Sequence, residues 1–107
     1  MDKTVSLGQF EQLVLTAAYL LGGKGYSVTI QAKVNEMSPK PVMLGAVFIS
    51  LDRLEGRGLV SSRFTDPTPE RGGKSKRIFK VTLEGERALA QARATAAVLL
   101  DALEDFA

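Results

Sequence analysis

The residues best equipped for chemistry in this chain are cations on a short glycine-rich stretch. Arg63, Arg71, Lys74, Lys76, Arg77 and Lys80 fall close together, and Gly72 and Gly73 lie among them. Glycine lets a backbone approach a surface without a side chain in the way, and ammonium and guanidinium groups suit phosphate oxygens. The charge along the chain is uneven. Residues 1–50 hold four Lys or Arg against three acids, 51–82 hold eight against four, and 83–107 hold two against five. The net charge of +2 therefore hides a basic middle followed by an acidic end. Such asymmetry points to a surface for a polyanion, with a merely solvated hairpin as the alternative.

Other chemistry is excluded by what is missing. With no cysteine there are no disulfides or thiolate metal sites, and with no histidine the usual general base and commonest metal ligand are gone. Asp52 and Glu55 form a carboxylate pair. Three residues apart on a helix, between Arg53 and Arg57, they read as salt-bridge partners and not as acid and base. No catalytic residue, cofactor or metal is assigned.

The elements that must position the cations follow from periodicity. A chain of 107 residues, 45% hydrophobic and 24% charged, has room for one core and one compact module. No apolar run approaches the roughly 18 residues that span a bilayer, so the expectation is a soluble, cytoplasmic protein without a membrane partner. From Leu7 to Leu21 the residues Leu7, Phe10, Val14, Ala17 and Leu21 make one helical stripe, with Ser6 to cap it and Gly22, Gly23 and Gly25 to end it. Tyr26, Val28, Ile30, Ala32 and Val34 alternate like a strand, while Ile30, Val34 and Met37 also fit a helix. The period does not decide. Caps at Ser27 or Thr29 and stops at Ser38, Pro39 and Pro41 favour a helix over about 27–37. From Val42 to Arg57 a third helix is expected, with Leu44, Val47, Phe48, Leu51 and Leu54 on its buried face and a glycine stop at Gly56 or Gly58.

Leu59–Phe64 and Arg77–Val81 then read as two strands of a hairpin, with Phe79 and Val81 facing inward and Lys76, Ile78 and Lys80 on the other side. The segment at 65–75, TDPTPERGGKS, is too long and too rich in Pro and Gly for a tight turn. Thr82 caps a last helix with Glu84 and Glu86 in its first turn. On it Leu89, Ala92, Ala96, Leu99, Leu103 and Phe106 recur at steps of three and four, a seam of the coiled-coil kind. A second copy of the chain is the expected cover, with Phe10 and Leu13 of the first helix on the opposing surface. The alternative is that the seam packs only on its own domain.

Three helices followed by a hairpin is the order of a winged helix-turn-helix, an α+β, mainly α fold whose third helix enters the major groove. The sequence here has GAVFISLDRLEGRGLVSSRF at 45–64, DPTPERGGKSKR at 66–77 and IFKVTLEGERAL at 78–89. In these segments the chain resembles the PadR family of transcriptional regulators: a recognition helix with LDRLE, a wing with TPERGG and a TxEG entry into the last helix. The resemblance covers nearly the whole chain. It implies a winged-helix DNA-binding domain over 1–82 and a C-terminal dimerisation helix over 83–107, as in the shorter members of the family. It further implies a homodimeric repressor bound to operator DNA and released by a small-molecule effector.

On that reading Gly45, Ala46, Ile49, Ser50 and Arg53 face DNA, with Lys40 and Met43 at the entry to the third helix. Arg63, Arg71, Gly72, Gly73, Lys74, Lys76 and Arg77 belong to the wing, where Arg71 or Lys74 at the tip reaches a minor groove. Base-reading side chains are few, since no Asn, Gln or Arg stands in the first turns of the third helix. Phe48 stands where the family commonly has Tyr. A winged-helix module that binds another protein is the competing reading, helped by the apolar character of Gly45, Ala46 and Ile49.

Overall fold

The computed structural model describes residues 6–65 and 75–106. Its elements run α1 (Gln9–Leu20), α2 (Ser27–Met37), α3 (Leu44–Gly56), β1 (Val60–Phe64), β2 (Arg77–Val81) and α4 (Leu83–Ala102). This is the three-helix-plus-hairpin order with a long final helix, the winged helix-turn-helix that the sequence suggests. The segment over 27–37, left open between helix and strand by its period, is a helix.

The helix ends show why the boundaries fall where they do. α1 starts later than its apolar stripe, at Gln9 and not Leu7, and Ser6 does not cap it. Gly8 is the capping residue, and Glu11 reaches back so that its carboxylate accepts from the Gly8 N–H at 3.0 Å. At the start of α2 the Thr29 hydroxyl accepts from the Tyr26 N–H at 3.0 Å and donates to the Tyr26 carbonyl at 3.1 Å. α3 closes in a left-handed turn at Gly58, φ 78°. The Gly58 N–H bonds the Glu55 carbonyl and the Leu59 N–H bonds the Leu54 carbonyl, both at 2.9 Å, so the last orphan acceptors of the helix are satisfied.

The three helices and the hairpin enclose one core of Val14, Leu15, Ile30, Val34, Val47, Leu51, Leu54, Leu59, Val60 and Phe79, all essentially inaccessible. The buried side of α3 differs from the sequence expectation. It consists of Val47, Ser50, Leu51 and Leu54, while Leu44 and Phe48 are exposed. Steps of three, one and three put Ser50 at the centre of that stripe and turn Leu44 and Phe48 onto its flank.

β1 and β2 pair antiparallel in the register Val60 with Val81, Ser62 with Phe79 and Phe64 with Arg77. Those residues share the inward face; Ser61, Arg63, Ile78 and Lys80 share the other. Ile78 is nevertheless buried. The segment after α1 lies against this sheet as a third, one-residue strand: Gly25 bridges Phe79, whose N–H donates to the Gly25 carbonyl at 2.8 Å. A Cβ on Gly25 would sit 2.7 Å from Leu21 Cδ1 and 3.0 Å from Ile30 Cγ1, so a larger residue here would have to push the Leu21 side chain aside.

α4 begins on the same scaffold. Thr82 accepts from the Gly85 N–H at 3.0 Å, as its capping position requires, and donates to the Gly58 carbonyl. Gly85 and Ala88 are buried. From Arg93 onward every described residue of the helix is exposed, so the far half of α4 adds nothing to the core.

Candidate nucleic-acid interface

The step from α2 to α3 decides where α3 points, and α2 itself makes it rigid. Gln31 Nε2 donates to the Val42 carbonyl at 3.0 Å, and Asn35 Oδ1 accepts from the Val42 N–H at 2.8 Å. Two amide side chains one helical turn apart thus hold both polar groups of one backbone residue just before α3. Ser38 tightens the same turn, its hydroxyl donating to the Lys40 carbonyl at 2.8 Å. Sequence reasoning passed over Gln31 and Asn35; their i, i+4 spacing beside a proline-rich turn was the available signal.

With α3 so held, its outer surface carries Met43, Gly45, Ala46, Ile49 and Arg53, all exposed, and Lys40 is exposed just ahead of it. All six expected contact residues are accessible, and helical spacing puts Gly45, Ala46, Ile49 and Arg53 on one side of α3. Ser50 is not among them: it is buried at 6% exposure, because it lies three after Val47 and four before Leu54, and it is removed from the set that can touch a ligand.

Arg77 is also corrected. It lies on the inward face of the hairpin, where its Nε donates to the Ser62 hydroxyl at 3.0 Å and its Nη2 pairs with Glu55 and, at 3.3 Å, with Asp52. Its guanidinium also lies 4.9 Å from the Phe79 ring centroid and 5.7 Å from that of Phe48. Glu55 accepts from both the backbone N–H and the hydroxyl of Ser62. The Ser62 hydroxyl and then the Arg77 guanidinium hold the Glu55 carboxyl below its usual pKa against the opposing effect of desolvation. Asp52 and Glu55 are salt-bridge partners as expected, but of Arg77 on the hairpin and not of Arg53 or Arg57. Arg57 turns the other way, to the Glu11 carboxylate at 3.1 Å and the Ser6 carbonyl at 2.7 Å.

The remaining hairpin cations divide. Lys76 Nζ stands 4.3 Å over the Tyr26 ring and 3.3 Å from its hydroxyl, tying the hairpin to the start of α2. Arg63 and Lys80 are exposed on the outer face. Among the described residues no carboxylate lies within ion-pair distance of Lys40, Arg53, Arg63 or Lys80. Arg71, Gly72, Gly73 and Lys74, expected at the wing tip, lie outside the described residues.

The apolar seam on α4 is split by its surroundings. Phe10, Leu13 and Leu89 are partly buried and pack against the core of their own domain, and Ala92 is half-buried. Ala96, Leu99, Leu103 and Phe106 are exposed, joined by Val98 and Leu100. An open groove lined by Leu7, Gln12, Ala92, Thr95, Ala96 and Leu99 runs between the start of α1 and α4. No described helix is long and apolar enough to cross a membrane.

No protein-family model matches the sequence. No curated protein matches it either. The fold, by contrast, is shared with many solved structures. A PadR family transcription regulator from Clostridium difficile superposes with a TM-score of 0.78 at 20% identity, over 92% of this chain and 98% of that one. A PadR-like transcription factor from Bacteroides fragilis gives 0.68 at 22% identity, over 92% and 95%. The Orc1 protein of Aeropyrum pernix, solved in complex with DNA, gives 0.64 at 24% identity, over 86% of this chain and 26% of that one. The chain therefore has the PadR-like winged-helix fold over most of its length.

Proposed function

From a fold shared with PadR-family transcription regulators, we propose that this protein is itself a DNA-binding transcriptional regulator. The observation that carries the reading is α3, exposed on its outer side and set by the Gln31 and Asn35 hydrogen bonds to Val42, with Lys40, Arg53, Arg63 and Lys80 around it free of ion pairs among the described residues. In this arrangement α3 lies in the major groove and the hairpin tracks the flanking backbone, with Arg71 and Lys74 at its tip. Arg77 and Lys76 act by holding the hairpin against α3 and α2.

The active species is a homodimer joined through the outer half of α4, which supports division of the chain into a reading domain over 1–82 and a dimerisation helix over 83–107. Two copies read the half-sites of a palindromic operator about one helical turn, roughly 34 Å, apart. Repression of the neighbouring gene and release by a small-molecule effector complete the reading, on the strength of the resemblance. The protein works inside the cell, where its DNA is.

The test is footprinting on the promoter region of its own gene across a range of salt. With about four phosphates neutralised per subunit, log affinity is expected to fall against log salt with a slope near about −7. A flat salt response, or no protection, would sink the reading. The exposed apolar residues of α3 favour a second reading, a module that binds another protein. Charge reversal at Arg63 and Lys80 separates the two, since it abolishes DNA binding and leaves an apolar protein contact largely intact.

A further inference from the structure

Over the first two turns of α3 no exposed side chain can hydrogen-bond a base edge, and beyond them only Arg53 is left without a partner among the described residues. Asp52 is paired with Arg77, and Glu55 with Arg77 and Ser62. Ser50 is buried. The amides nearest the helix, Gln31 and Asn35, are spent on Val42. From its N-cap through its first two turns α3 offers solvent only apolar side chains, Met43, Leu44, Ala46, Phe48 and Ile49, with Met43 78% and Ile49 55% exposed, and a backbone left open at Gly45, where an added Cβ would meet nothing within 4 Å.

An apolar helix face commonly receives another protein, but the margins of this one argue otherwise. Lys40 precedes it, Arg53 ends it and Arg63 and Lys80 flank it on the hairpin, all exposed. That is an apolar strip in a cationic frame, complementary to an anionic surface with apolar points along its floor. In duplex DNA the apolar group on the floor of the major groove is the C5 methyl of thymine.

We propose that α3 reads thymine methyl groups: Met43, Ala46 and Ile49 pack on them, the bare backbone at Gly45 permits the close approach, and Lys40 and Arg53 hold the phosphates alongside. This rests on the reading of the protein as DNA-binding and adds what it recognises there. Specificity from α3 then comes from fitting methyl groups and not from donor and acceptor pairing, and the preferred half-site carries thymines where α3 lies deepest.

The test starts with duplexes selected by the protein from a random pool. Each thymine of one half-site is replaced singly by deoxyuridine, which deletes the methyl and leaves pairing and phosphates unchanged. At one or more positions the affinity is expected to fall about fourfold, the value of one buried methyl-sized group. Ile49→Ala, at an exposed position and checked for folding by circular dichroism, is expected to erase that loss at one of them, so that the thymine and uracil duplexes bind it alike. Restoring the methyl as 5-methylcytosine in place of cytosine at a neighbouring non-thymine position is expected to leave affinity unchanged. Salt-dependent binding that tolerates uracil within about twofold at every position overturns the proposal and leaves the DNA reading standing. No duplex selected at all overturns both.

Discussion

Arg77 shows how much a single side chain in this fold can be asked to do. Composition places it among the hairpin cations, yet its strand parity and its partners Asp52, Glu55 and Ser62 make it the tie between hairpin and α3. The carboxylates at such ties give an acid sensitivity whose sign can be worked out. The Gly8 N–H and the Arg57 guanidinium hold the Glu11 carboxyl below its usual pKa of 4.5, as Ser62 and Arg77 do for Glu55. A carboxyl whose folded pKa is depressed contributes stability at pH above the unfolded value, and that contribution is lost as pH falls through the folded one. Between neutral pH and about 4.5 these two groups leave stability unchanged; below it they lower it. Glu55→Gln is expected to be less stable than the parent at pH 7 and to show a shallower fall in urea midpoint below pH 4.5. An unchanged acid limb would show that Glu55 is not a source of it.

At the scale of elements, most of the plan was legible from the sequence and the misses share a cause. The apolar period located α1, α3 and α4, and Thr82 does cap α4. Period alone could not rotate α3 correctly, because Ser50 is small and polar yet stands inside the stripe, while Leu44 and Phe48 are apolar yet stand beside it. A hydropathy pattern reports residue type, whereas burial depends on which neighbours arrive. The contacts that aim α3 were hidden for a related reason: Gln31 and Asn35 act on a backbone eleven and seven residues away, and their i, i+4 spacing marks a shared helix side without saying what that side meets. Gly85 is the opposite case. A resemblance in the TLEG segment marks it, and the structure supplies the reason, since a Cβ there would lie 2.1 Å from the Leu59 carbonyl oxygen and 2.7 Å from Val81 Cγ1. Gly85→Ala is expected to cost about 3 kcal/mol by forcing α4 off the base of the hairpin, measured as a loss in urea unfolding. A loss below about 0.5 kcal/mol, the size of an ordinary surface change, would mean the helix shifts freely.

At the scale of the whole molecule the outer half of α4 is the large apolar surface that the fold leaves exposed. Leu99, Leu103 and Phe106 are 57%, 55% and 81% exposed, whereas Phe10, Leu13 and Leu89 serve their own core. The seam read from the sequence is therefore continuous as a pattern but divided in use, its first part intramolecular and its second part free to meet a partner. Leu99→Asp with Leu103→Asp is expected to give a monomer by sedimentation with its helical content kept, because both positions are exposed and lie outside the domain's core. A dimer that survives the pair would place the interface elsewhere. The way α4 leaves the domain then bears on how two copies would be spaced. Thr82 grips Gly58 and Leu59 at the close of α3 while it starts α4, one residue beyond β2. The 20 residues of α4 span about 30 Å, and since its first half packs on the core through Gly85, Ala88 and Leu89, about 15 Å of helix runs on past those contacts. α4 is thus an arm rooted where α3 closes and the hairpin ends, so the angle at which two such arms cross would fix the distance between two α3 helices.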